Sequence, residues 1–343
     1  MFVNVLKYHK LRLPTEAREI YNAIDDAVKH MKDSCTFPIT SYSVDERWMR
    51  RIWQGVYNDN PSYFYYTPIQ YVIYRYDSCI RYEIKYLYQK HQVRQMKITL
   101  GDFMRKFYSK YSSKPMTDYN KVKLIHGFLV ATVSYDYEAL ESADVYADPD
   151  IFNVIGVFFK RRAVCWGIAM AFKLLCDYFG VSSLVITGKG GIDSVNEEHA
   201  WNLVRLDGEF YHIDVTWGLR KQGKELFIYD YFNLDDGVMG KIHDWDRKYY
   251  PQCKSLKHNY HHMKNYLVDA PQNIRPYFLK RLQQGVEKPI LKYLGILPND
   301  EFIQREISLA VREHLGWVGS QFTSWSFLVD RRLQNIYVTF KKE

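Results

Sequence analysis

The 343-residue chain has no uninterrupted apolar run of about 18 residues, so nothing in it reads as a membrane-spanning helix. Cysteine is sparse. Cys35, Cys79, Cys165, Cys176 and Cys253 are odd in number, widely spaced and never arranged as C-x-x-C. That excludes a disulfide framework and a cysteine-rich zinc site, and four of the thiols read as small buried hydrophobes. Charge of one sign is nowhere massed. The 47 Lys and Arg against 39 Asp and Glu leave +8 with no block of five like charges, a weak attraction to anionic partners. The first residues lack a basic segment followed by an apolar one, so no signal peptide is read, and a cytoplasmic location is expected unless a leader has been removed. Collagen-like, coiled-coil and wholly disordered chains are excluded by 47% hydrophobic and 25% charged residues, and the length allows two or three domains.

What the chain has in excess is aromatic residues, 17% of the total, with 30 tyrosines. Tyrosine suits half-buried strands and wet grooves, because it joins apolar area to a polar tip. Ten tyrosines fall between residues 57 and 88. Over 80–89, Ile80, Tyr82, Ile84, Tyr86 and Tyr88 alternate with Arg81, Glu83 and Lys85, which predicts a half-buried strand with Tyr71–Tyr76 as hairpin partner across Asp77-Ser78. The basic residues oppose the tyrosines, so this is packing and not a base-stacking surface; no nucleic-acid partner is expected.

Ile20, Ile24 and Val28 recur at helical spacing, and a second helix is predicted from Val44 to Gly55. Asp118 to Val133 reads as a helix, 135–150 as an acidic loop. Near the end, helices around 272–284 and 300–315, closed by Gly285 and Gly316, precede a strand carrying Ile336, Val338 and Phe340. The expected organisation is an N-terminal helical and Tyr-rich β region (1–115), a middle region of mixed helix and strand (116–262) and a small C-terminal α/β unit (263–343).

The chemistry concentrates in the middle region. Residues 166–179 pattern as a helix stopped by Gly180, which puts Cys165 at its first turn. The positive end of a helix favours a thiolate there. Lys160, Arg161 and Arg162 would add to this if they pointed inward, although such a run is equally a solvated loop. Alone, Cys165 would read as a packing cysteine. Cys176 lies about 16 Å further along the helix and reads as core. A strand from Ser183 to Thr187 follows, then Gly188-Lys-Gly-Gly191, which lacks the Lys-Ser or Lys-Thr of a phosphate loop and reads as a turn.

Asp207-Gly208 between two apolar runs predicts a two-residue hairpin. Paired residue numbers then sum to 415, so Trp201 faces Asp214 and His199 faces Thr216. His199 and Asp214 become diagonal neighbours on one face, about 7–8 Å apart at Cα. A helix-start cysteine with a His–Asp pair supplies the parts of a thiol triad: nucleophile, proton carrier and orienting carboxylate. His212 is the competing base, but the pattern gives it no acid partner.

Ala163-Val-Cys165-Trp-Gly167, His199-Ala-Trp-Asn202 and Asp214-Val-Thr-Trp217 resemble the transglutaminase-like superfamily, in particular bacterial members grouped with cysteine proteases. The resemblance extends to Tyr57-Asn-Asp-Asn-Pro61, Ile125-His126, Tyr229–Asn233 and His243-Asp-Trp245, and it is specific over 163–217. It implies an α+β, papain-like transglutaminase core over 116–262, with the nucleophile helix packed on an antiparallel sheet. It implies Cys165 as nucleophile, His199 as general base and acid, Asp214 as orienting group, an acyl-thioester intermediate, and neither cofactor nor metal. Tyr135 is assigned as an oxyanion donor beside the Cys165 N–H. Trp166 and Trp201 are assigned to the substrate groove; Trp166 stands where many relatives carry another residue type, so an altered acyl pocket is expected. Members of the superfamily differ in whether water or an amine attacks the thioester. No D-x-[DN]-x-[DN]-G calcium loop is present. The expectation is hydrolysis of an amide or peptide bond in a protein or peptide substrate. Acyl transfer to an amine is the alternative, followed by a non-catalytic protein-binding module.

Overall fold

A computed structural model describes every residue except 1–4, 113, 143–146, 192–196, 220–228, 318–321 and 343. The chain forms an α+β fold. Its centre is a five-stranded antiparallel sheet in the spatial order His243–Asp244, Ser183–Gly190, Glu197–Leu206, Glu209–Ile213, Phe232–Leu234. The helix Cys165–Tyr178 packs on this sheet. Its residues from Gly167 to Asp177 are all buried, and Asn202 Nδ2 donates to Ala169 O at 3.0 Å to tie strand to helix. Gly180, at φ +71°, ends the helix as expected.

The hairpin turn has φ +50° at Asp207 and +89° at Gly208, the left-handed pair that suits strand twist. Register follows the predicted sum from Leu206↔Glu209 to Asn202↔Ile213. Beyond that point the structure departs from the prediction. The strand ends at Ile213, and Val215–Leu219 is a short helix whose Trp217 N–H donates to Asp214 Oδ1 at 3.0 Å. Asp214 therefore caps a helix and does not pair with Trp201, and Thr216 does not face His199.

Gly188-Lys-Gly190 is also not a turn. It continues the strand from Ser183, since a side chain at Gly188 would sit 2.2 Å from Asp244 O on the neighbouring strand. The glycines permit a close approach of backbones.

In the N-terminal region, Thr15–Lys29 and Glu46–Asp59 are helices, the second beginning two residues later than expected because Asp45 caps it, and running four further. Tyr66–Arg75 and Cys79–Tyr86 pair antiparallel, with Ser34–Pro38 completing a three-stranded sheet. The 22-residue helix Lys90–Tyr111 escapes pattern reading, because only Val93, Leu100, Met104 and Phe107 are buried, too thin a stripe to stand out. Asp118–Thr132 is helical as expected. Within 135–150, Tyr137–Glu141 is a short helix; 143–146 lie outside the described residues. One hydrophobic cluster joins side chains from Leu13 to Phe232.

Near the C-terminus, helices Ile274–Gln283 and Asp300–Trp317 accompany a four-stranded sheet that includes Asn335–Lys342. Gly316 lies inside its helix and does not close it. Among the described residues no helix is long and apolar enough to cross a membrane.

Candidate active site

Cys165 is the first residue of its helix, half-buried, and faces a cleft of about 1180 Å3. Its first-turn amides have no acceptor within the helix. Lys160 and Arg162 do not reinforce this end. Lys160 pairs with Asp148 and Asp150 at 2.7 and 2.9 Å, and Arg162 with Asp136 at 3.3 Å. The run closes a helical turn and enters a short strand, with the Lys160 and Arg162 charges spent on these acids.

His199 enters the same cleft from strand Glu197–Leu206. Its Nε2 lies 2.8 Å from Asp214 Oδ2, and the Cys165 thiol lines the same cleft and acts on its ring. With Nε2 engaged, Nδ1 is the ring nitrogen left for the thiol. Burial disfavours a charge on His199, but the Asp214 carboxylate outweighs it and the thiol adds, so the pKa rises to about 10. Burial likewise opposes the Asp214 charge, yet His199 and His243 hold its carboxyl below the usual carboxylate range.

Trp201, expected along the groove, is 1% exposed. It stacks behind His199 with ring centroids 5.7 Å apart, and its Nε1–H donates to His212 Nδ1. It supports the imidazole from the core, and Trp217 takes a place on the cleft wall. Trp166 does line the cleft, held by Nε1–H donation to Asn58 Oδ1 at 2.7 Å and by edge contact with Tyr57. Tyr135 also lines the cleft, on a strand paired in parallel with Arg162-Ala163. His212 has an acid partner after all. Asp236 Oδ1 is 2.8 Å from its Nε2, and the ring is wholly buried behind Trp201, away from the thiol.

Residue-pattern reading passes over His243. Its Nε2 lies 3.0 Å from Asp214 Oδ2, the oxygen His199 also uses. The only signal is its place in the His243-Asp-Trp245 run; nothing local says that this two-residue strand lies beside Gly190. Among the described residues, His199–Asp214–His243 and His212–Asp236–Cys253 each hold metal-capable atoms within 4.8 Å of one another. Hydrogen bonds between their own side chains account for the first arrangement, and the His212–Asp236 bond for the core of the second. All five cysteines are free; Cys176 and Cys253 are buried, whereas Cys35 and Cys79 are only partly so.

Residues 105–215 match the model of the transglutaminase-like superfamily, a span that contains Cys165, His199 and Asp214. These residues form a transglutaminase-like core within the α+β fold. The chain is 25% identical over 158 residues to the Kyphoscoliosis peptidase of Mus musculus, covering 43% of this chain and 23% of that protein. To the same peptidase of Homo sapiens it is 24% identical over 139 residues, covering 38% and 20%. The chain thus spans about a quarter or less of the curated relatives it matches. A crystal structure of a TGase aligns with TM-score 0.29 and 20% identity over 43% of this chain and 44% of that one.

Proposed function

We propose that the chain is a thiol hydrolase of the transglutaminase-like type that cleaves an amide or peptide bond in a protein or peptide substrate. The observation that carries this reading is the single imidazole set between a cleft-facing helix-start thiol and a buried carboxylate. Cys165 passes its proton to His199 as its Sγ attacks the substrate carbonyl carbon, and the oxyanion is held by the Cys165 N–H together with Tyr135. As the C–N bond breaks, His199 gives its proton to the leaving amine. Water then attacks the thioester, His199 takes one of its protons, and the acid leaves as the thiol is restored. Asp214 keeps the ring oriented throughout.

The name of the curated relatives, a peptidase, supports hydrolysis over transfer. Iodoacetamide should label Cys165 stoichiometrically near neutral pH, well ahead of the other four thiols, and Cys165→Ala should abolish turnover. Equal slow labelling of all five thiols would refute the reading. Incubating a glutamine-containing protein with a labelled primary amine separates the two fates of the thioester. Incorporation rivalling hydrolysis would make acyl transfer the main activity.

A further inference from the structure

The Asp214 carboxylate is satisfied three times over. Oδ2 lies 2.8 Å from His199 Nε2 and 3.0 Å from His243 Nε2, and Oδ1 accepts from Trp217 N at 3.0 Å. His243 is fully buried, with its ring wedged 4.6 Å from Trp217 and 4.8 Å from Trp201. Its Nδ1 has no hydrogen-bond partner among the described residues. A charged His243 would carry a second N–H with nothing to accept it, close to the His199 ring at 5.2 Å. The ring is therefore a fixed neutral imidazole with its one hydrogen on Nε2.

We infer that His243 is a positioning residue: it holds Asp214 in place and, by sharing the same carboxylate oxygen, limits how tightly His199 keeps its proton. This rests on the thiol-hydrolase reading. A carboxylate facing His199 alone would concentrate its charge on that ring, and a proton held too firmly is slow to reach the leaving amine. Among the described residues, Cys165 in the cleft, His212, His126 and Tyr231 are the other titratable groups that act on a member of this assembly, and Arg50, Glu141, Glu197 and Glu198 line the cleft beyond His199.

The test is the pH dependence of Cys165 alkylation by iodoacetamide, which needs no substrate. The parent should show two steps, one where the thiolate–imidazolium pair forms and one where His199 loses its proton. His243→Leu should move the upper step about one unit higher. His243→Gln places an amide N–H where Nε2 sits and should return it to the parent position. His243→Asn, of similar polarity but too short, should behave like Leu, which keeps the contrast readable if Leu fails to fold. A two-step parent profile unmoved by all three substitutions, or Gln shifting as far as Leu, would overturn this inference alone. A parent profile with one ordinary thiol step would overturn the thiol-hydrolase reading and this inference with it.

Discussion

His126 is buried under Tyr229 and Phe232, and neither of its ring nitrogens has a partner among the described residues. Burial pushes its pKa down to about 3. In the unfolded chain the same ring takes a proton near pH ~6.5. Between those values the unfolded state binds the extra proton, so stability falls as the pH drops through that window. Asp214 acts in the same direction lower down. Its carboxyl is depressed in the fold, so its contribution is complete above about pH 4 and fades as the pH falls further. Urea denaturation at pH 7, 5.5 and 4 should show a shallower acid decline for His126→Phe than for the parent; parallel declines would contradict this. At this scale, residue types and spacing made Cys165, His199 and Asp214 legible as candidates. His243 and His126 were not, because no local pattern tells an inward imidazole that closes a network from one that packs against rings.

Among the elements, the Asp207-Gly208 hairpin could be read because two left-handed residues and flanking apolar runs fix its register locally. Gly188-Lys-Gly190 reads as a turn from sequence, and is a strand, for the opposite reason. The need for glycine there comes from a strand more than fifty residues away, where Asp244 O would meet any added side chain. Gly190 makes the same point inside the site. A Cβ there would stand 3.1 Å from His199 Cδ2, and the ring is held in place because Trp201 stacks against it and Asp214 fixes the adjacent Nε2. Gly190→Ala should slow Cys165 labelling on the order of tenfold or more while the protein stays folded by circular dichroism. An unchanged labelling rate would show that the ring has room to give.

Across the whole molecule, the N-terminal region contributes to the cleft. Asn58, from helix Glu46–Asp59, accepts the Trp166 indole N–H, and one hydrophobic cluster runs from Leu13 through the Cys165 helix to Phe232. The tyrosine excess is explained by that core. Tyr21, Tyr57, Tyr65, Tyr66 and Tyr82 are buried, with hydroxyls such as Tyr21 on Asp59 and Tyr57 on Phe152 O finding acceptors. Composition predicted the packing, but contacts spanning more than a hundred residues could not be read from neighbouring positions.

The uneven shelter of the five sulfurs has a last consequence. Cys176 and Cys253 are sealed in the core with burial pushing their thiols up, and Cys35 is raised to about 12, whereas Cys165 opens onto the cleft beside a proton acceptor. An oxidant arriving from solvent should reach Cys165 first and leave it as a sulfenic acid. Brief peroxide treatment should thus silence iodoacetamide labelling at this position, dithiothreitol should restore it, and intact-mass spectra should show one added oxygen. Oxygen appearing first on Cys176 or Cys253, with Cys165 labelling surviving the treatment, would contradict that order.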